Sequence, residues 1–193
     1  NNKISNQHIS VNYLGDMIKK YTSNYNDNIN FNILEEKKFM GTAGSLSLVE
    51  NFNNDTVLLM NSDILTNIDY EDFYKSFVKQ DADIMAASVS YSINLPYAIF
   101  NIKDDEVKSL DVKSFEEKPT NTYYANAGIY LIKREVINKI PKNKFYNATD
   151  LMQLIIDSPN NQLKHFPIRG YWLDIGKHED YKKAQIDVKH INF

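Results

Sequence analysis

Two aspartates stand where a chain could hold a cation. Asp174 closes the run Tyr171-Trp172-Leu173-Asp174, Gly176 follows after one residue, and a helical pattern begins at Glu179. Asp63 closes Thr56-Val57-Leu58-Leu59-Met60-Asn61-Ser62-Asp63 in nearly the same setting. An acid at a strand end, beside a flexible turn and the positive start of a helix, is a common way to build a phosphate or metal site. Two such acids, far apart in sequence, could meet at the carboxyl edge of one sheet and share one divalent ion.

Other segments carry weaker signals. Met40-Gly41-Thr42-Ala43-Gly44 opens a helix after a strand. Its glycines would admit a flat ligand to the backbone, with free N–H groups; taken alone, a strand-to-helix turn with a threonine cap is the plainer reading. Asn61-Ser62-Asp63 reads also as an Asx-turn. In Phe115-Glu116-Glu117-Lys118-Pro119, the proline predicts an extended Lys118, able to reach a phosphate as a point charge or to stand solvated at the surface. Asn126-Ala127-Gly128-Ile129-Tyr130 is a strand in which Asn126 could bond sugar hydroxyls, or a strand with a bulge.

These residues need a scaffold, and the apolar spacing supplies one. Strands are predicted at His8–Val11, Phe31–Leu34, Val57–Met60 and Ile84–Val89. Helices are predicted at 13–21, 42–52 and 70–78, with Asp69 as an N-cap and with Leu14, Met17, Ile18 and Tyr21 on one face of the first. That alternation argues for a mostly parallel sheet covered by helices on both faces, with ligands at the carboxyl ends of the strands. Further strands are predicted at 97–102, 107–116, 125–132 and 163–174, some antiparallel, and helices at 134–140, 148–157 and 179–188. The asparagine-rich stretches 24–32 and 51–54 read as loops.

Bulk composition narrows the classes. The 193 residues suit one domain, and a net charge of −3 gives no electrostatic case for nucleic acid. The absence of cysteine excludes disulfides, zinc-thiolate sites and cysteine nucleophiles. The four histidines lack metal-ligand spacing, and no apolar run reaches membrane-span length, so no membrane partner is expected. The first residues lack a signal-peptide core, which makes a cytoplasmic location the default expectation.

Taken in order, Gly-Thr-Ala-Gly (41–44), Asn-Ser-Asp (61–63), Glu-Lys-Pro (117–119), Asn-Ala-Gly-Ile-Tyr (126–130) and Trp-Leu-Asp-Ile-Gly (172–176) resemble the sugar-phosphate nucleotidyltransferases, from about Val11 to Ala184. The resemblance implies an α/β, Rossmann-like three-layer αβα nucleotide-diphospho-sugar transferase fold with a mixed, mostly parallel sheet. It implies transfer of a nucleotidyl group from a nucleoside triphosphate to a sugar-1-phosphate, with release of pyrophosphate. It assigns Asp63 and Asp174 as Mg2+ ligands, Asp63 being catalytic as well, and Lys118 as the catalytic lysine that binds the sugar phosphate. Gly41, Thr42 and Gly44 fall to the nucleotide base, and Glu117, Asn126 and Ala98 to the sugar. The Gly-Thr-Ala-Gly form most resembles the branch acting on hexose-1-phosphates such as mannose or glucose with guanine, uracil or thymine nucleotides, mannose-1-phosphate and GTP coming first. Oligomeric state stays open, a homo-oligomer included.

The sequence departs from that family in three places. The family's opening strand, its Gly-x-Gly-Thr-Arg loop and its Pro-Lys-Pro segment have no counterpart here. Residues 1–193 are therefore expected to be the later portion of a single nucleotidyltransferase domain, inactive alone because the triphosphate lacks its cradle. Ala98 stands where glycine is frequent, narrowing the sugar pocket, and Ser62 replaces a usual glycine. The alternative is a non-catalytic nucleotide-sugar-binding module, which the missing loop favours and the retained acids and Lys118 oppose. A dehydrogenase is set aside because no Gly-x-Gly-x-x-Gly follows a strand. A glycosyltransferase would want an Asp-x-Asp metal motif; Asp81-Ala82-Asp83 has the spacing but precedes a strand.

Overall fold

A computed structural model describes residues 4, 6–25, 29–102 and 110–192. Strand β1 (Asn6–Val11) runs into helix α1 (Gly15–Ser23) and returns as β2 (Asn30–Glu35), which pairs parallel with β1. The predicted apolar face of α1 is present, but Leu14, Met17, Ile18 and Tyr21 are exposed; only Gly15 of the helix is buried. The predicted helix over 42–52 is shorter: α2 (Gly41–Gly44) passes directly into a 3-10 turn, Ser45–Leu48.

Strand β3 (Thr56–Met60) leads through a turn at 61–63 into a three-residue strand, β4 (Ile64–Thr66). Helix α3 (Tyr70–Lys79) follows, and its predicted cap is real: the Asp69 carboxylate accepts the Asp72 N–H at 2.9 Å. Then come β5 (Ile84–Asn94), β6 (Ile99–Ile102), β7 (Val112–Glu116) and β8 (Thr120–Lys133). Residues 107–109 of the strand predicted over 107–116, and 26–28 of the asparagine-rich loop, lie outside the described residues. The chain closes with α4 (Arg134–Ile137), α5 (Ala148–Ile156), β9 (Leu163–Pro167), β10 (Trp172–Asp174) and α6 (His178–Asp187).

The central sheet has the order β3-β8-β5-β9. β3, β5 and β9 run one way, and β8 alone runs against them, so the sheet is mixed with one reversed strand. Its two faces bury different cores, because successive side chains of a strand point to opposite sides. Ile84, Ala86, Tyr130 and Ile132 pack with Ala43 of α2, Val136 and Ile137 of α4, and Leu151 and Ile155 of α5. Met85, Ala87, Ile129 and Leu131 pack with Phe73 and Phe77 of α3. This is the expected three-layer arrangement. β3 is half-buried instead of enclosed, since among the described strands it pairs on one side only.

Beyond the helices, β5 and β8 continue as an exposed two-stranded arm, Tyr91–Asn94 against Thr120–Tyr123, with β6 and β7 as a separate antiparallel pair.

Candidate functional site

The two acids meet. The link is the short antiparallel pair β4–β10, whose register sets Asp174 opposite Ile64, the residue after Asp63. The Ile175 N–H donates to the Asp63 carbonyl at 2.8 Å, and the Gly176 N–H donates to Asp174 Oδ1 at 2.9 Å. A methyl placed on Gly176 would lie 3.1 Å from Asp174 Oδ1 and 3.4 Å from Asp63 Oδ2. Both carboxylates therefore edge one small space that a side chain at 176 would fill. Asp63 sits within the turn after β3, three residues past its end, so it does not close that strand as the sequence suggested.

Both aspartates are exposed, and neither forms an ion pair with a described residue. Two like charges facing one space without a counter-charge are relieved by a cation. Among the described residues no further acid or histidine joins them in a metal-sized cluster. Two carboxylates fit a hard ion such as Mg2+, which keeps several waters and takes its other ligands from phosphate oxygens.

Several residues not singled out from sequence hold this geometry. Thr66 Oγ1 donates to the Tyr171 carbonyl at 2.8 Å, and the Tyr171 N–H donates to Asn67 Oδ1 at 2.6 Å. The one available signal was Gly170, where a side chain would collide with Asn67 at 2.2 Å. The Trp172 indole donates to the Ala127 carbonyl at 2.9 Å and ties β10 to β8. There β8 bulges: Ala86 faces Tyr130 and Ser88 faces Asn126, so three residues of β8 oppose Ala87 alone. Gly128, at φ 71°, occupies the bulge, and its carbonyl accepts the Asn61 N–H at 2.9 Å.

Asn126 spends its amide on this bulge. Its Oδ1 accepts the Gly128 N–H at 3.0 Å, and its Nδ2 donates to the Tyr130 hydroxyl at 2.8 Å. Burial pushes the Tyr130 phenol pKa up, and the Asn126 hydrogen bond acts the other way. Asn126 itself remains exposed and pairs with Ser88, the last buried residue of β5.

Ala98, Glu117 and Lys118 gather at a second corner. β6 pairs Ile99 with Glu116, which leaves Ala98 and Glu117 next in line, and the Leu95 N–H donates to the Pro119 carbonyl at 3.1 Å. All three are exposed. Lys118 is not extended: its φ is 46°. Residues 117–119 must carry the chain from the β6–β7 ladder to the β5–β8 ladder, and that reversal overrides the bias imposed by Pro119. Lys118 forms no ion pair with a described residue, and the structure gives no contact joining this corner to the acids.

Gly41, Thr42 and Gly44 correct a further expectation. The Ala43 and Gly44 N–H groups are not free; both donate to the Tyr146 carbonyl, at 3.0 and 2.8 Å. Added side chains at Gly41 and Gly44 would strike the backbone of Tyr146 and Lys144 at 2.8 Å. The close approach these glycines permit is made by the chain's own 144–147 segment. Thr42, the exposed member, uses its hydroxyl to accept the Ala148 N–H at 2.8 Å and so caps α5. The Asp81-Ala82-Asp83 spacing is structural too: Lys133 pairs with Asp81 at 2.9 Å and Asp83 at 3.1 Å.

The nucleotidyl transferase family matches residues 1–190. This chain belongs to that family. Mannose-1-phosphate guanyltransferase of Debaryomyces hansenii is 29% identical over 92% of the chain, and the Saccharomyces cerevisiae protein of that name is 26% identical over 92%. Glucose-1-phosphate adenylyltransferase of Clostridium kluyveri is 26% identical over 78%. Each match takes in 50%, 50% and 42% of the relative, so the chain spans about half the length of the curated relatives it matches. Among solved structures, HddC from Yersinia pseudotuberculosis superposes with a TM-score of 0.70, covering 96% of this chain and 80% of that one at 23% identity. A putative glucose-1-phosphate thymidylyltransferase from Bacillus anthracis gives 0.67, covering 96% and 77%, also at 23% identity. The fold is thus that of these transferases. Among the described residues no helix is long and apolar enough to cross a membrane.

Proposed function

We propose that the full-length protein transfers a nucleotidyl group from a nucleoside triphosphate to a sugar-1-phosphate, and that residues 1–193 are one nucleotidyltransferase domain's metal- and sugar-handling portion. The observation that carries this reading is the convergence of Asp63 and Asp174 on the space beside Gly176, with no cation among the described residues paired to them.

In the reaction a phosphate oxygen of the sugar-1-phosphate attacks the α-phosphorus, the bond to the β-phosphate oxygen breaks, and pyrophosphate leaves. Catalysis rests on holding the two phosphates in line and neutralising their charge. Asp63 and Asp174 would hold Mg2+, which supplies that neutralisation at the phosphate oxygens. Lys118 supplies a point charge for the sugar phosphate. Its exposed position on a three-residue connection leaves the side chain free to swing to a ligand. Glu117, Ala98 and Asn126 border the sugar. The exposed Thr42 faces the nucleotide, and Gly41 and Gly44 hold its backbone against the 144–147 segment.

Mannose-1-phosphate with GTP is the first pair to try, on the strength of the Gly-Thr-Ala-Gly form and the names of the relatives. The relatives found lend the non-catalytic alternative no support, and the retained acids and Lys118 oppose it. The deciding experiment measures pyrophosphate release by the full-length protein with Mg2+ across a panel of triphosphates and sugar-1-phosphates. Release with one pair is expected, lost on chelation; none from a folded protein with any pair would refute the proposal.

A further inference from the structure

The acids and the Lys118 corner leave one polar cluster of the sheet unused. Ser88 is 4% exposed, near the end of the buried stretch of β5. Its Oγ lies 2.9 Å from His165 Nδ1, and it also donates to the Phe166 carbonyl at 3.5 Å. His165, on the neighbouring strand β9, reaches across β5 to the Tyr124 ring of β8, with centroids 5.1 Å apart and planes at 56°. Ser88 faces Asn126 and Ser90 faces Tyr124 in the β5–β8 register, and His165 lies beside Ala86 in the β5–β9 register. Residues directly opposite each other share a sheet face, as do residues two apart. His165, Ser88, Asn126, Tyr124 and the Tyr130 hydroxyl therefore form one row across three strands.

That row belongs to the face that buries Ala86 and Tyr130 under α2 and α5, but it lies past their cover: His165, Asn126 and Tyr124 are all exposed. It also lies towards the carboxyl end of the parallel β5–β9 pairing, which stops at Ser88 opposite Pro167, and ligands in open α/β sheets bind beyond such ends. The Ser88 contact fixes the ring through Nδ1, and Nε2, a donor or an acceptor according to the tautomer, has no hydrogen-bond partner among the described residues. An aromatic ring, an amide and an imidazole held at Nδ1 with Nε2 open, on one exposed sheet face, are the chemistry of a carbohydrate platform. The ring covers C–H faces, and the two polar groups bond hydroxyls.

We propose that His165 is a sugar-specificity residue. Held by Ser88 and Tyr124 in the row that includes Asn126, it hydrogen-bonds a hydroxyl of the hexopyranose ring of the sugar-1-phosphate through Nε2. This rests on the transferase reading above. Neither His165 nor Ser88 falls within the segments that carry the family resemblance.

The test uses the full-length protein with His165→Phe, which keeps a ring against Tyr124 and removes both nitrogens, and His165→Asn, which restores a polar amide. For His165→Phe the KM for sugar-1-phosphate is expected to rise about tenfold, the loss of one net hydrogen bond. The KM for the triphosphate should stay within about twofold, and His165→Asn should recover part of the loss. Equal rises in both KM values, or none in the sugar KM, would overturn the proposal. A second readout does not need turnover: the His165 imidazole proton and carbon resonances of the wild-type protein, followed by NMR during titration with sugar-1-phosphate alone. A saturable shift at His165 supports the contact even if no pair is turned over. Binding that leaves those resonances in place, or no binding, overturns it whether or not the transferase reaction is observed.

Discussion

At the residue scale the site rests on a missing side chain and on two carboxylates that no described residue pairs with. Asp63 and Asp174 face one space because nothing projects from Gly176 into it. Replacing Asp63 with Asn removes a charge while keeping the shape and the backbone bond from Ile175. Turnover of the full-length protein should fall about 100-fold or more, as when one preorganised charge is lost from a phosphoryl-transfer site. Thermal stability should hold within about 0.5 kcal/mol, because Asp63 is exposed and the change removes a like-charge contact. Full activity in Asp63→Asn would remove the acid from the mechanism. Residue types alone pointed to this pair. They did not disclose that the glycines of 41–44 are packed against the chain's own 144–147 segment, because a glycine required by a ligand and one required by a neighbouring backbone look alike in sequence.

At the scale of elements, the bulge in β8 joins the parts of the site. Gly128 accepts Asn61 before the Asp63 turn, Asn126 folds back onto it, and Trp172 anchors β10 to Ala127. Gly128→Ala would place a methyl at φ 71°, 2.9 Å from both Asn61 Nδ2 and Ile64 Cδ1. We expect a loss of about 1–3 kcal/mol, read as a fall in Tm of roughly 3–10 °C, together with a higher Mg2+ requirement as Asp63 shifts. A normal Mg2+ titration in a destabilised Gly128→Ala protein would show that the bulge supports the fold without positioning the acid. The long elements were readable from apolar period, and α3 with its Asp69 cap is the clearest case. β4 was not, and β10 was read only as the end of one strand over 163–174, which the structure divides into β9 and β10. Three residues each carry no period, and they become strands only by pairing with one another. The extended form expected of Lys118 failed for a related reason: a local bias from Pro119 yields to a connection that must change ladders within three residues.

At the scale of the whole molecule, β8 stitches the layers together. Tyr130 and Ile132 enter one core while Ile129 and Leu131 enter the other. Burial raises the Tyr130 and Tyr70 phenols above their ordinary 10.0, so the fold holds these protons more tightly than the unfolded chain does. Their contribution is complete below pH 10.0 and is lost as pH rises through the raised values. Tm should therefore fall above about pH 10, and less steeply in Tyr130→Phe. An unchanged slope in that variant would place the alkaline loss elsewhere.

The sequence by itself determined the alternation of strands and helices, the layered α/β class and the acids to watch, because periodicity and residue chemistry are local properties. Only the tertiary structure decided the reversed direction of β8, the β4–β10 pairing that joins Asp63 to Asp174 across 111 residues of chain (174 − 63), and the exposure of the apolar face of α1. It also set His165 beside Ser88 and Asn126. Those outcomes depend on which distant backbone groups satisfy one another's hydrogen bonds and which surfaces find cover, and neither is written in the spacing of residues along one segment.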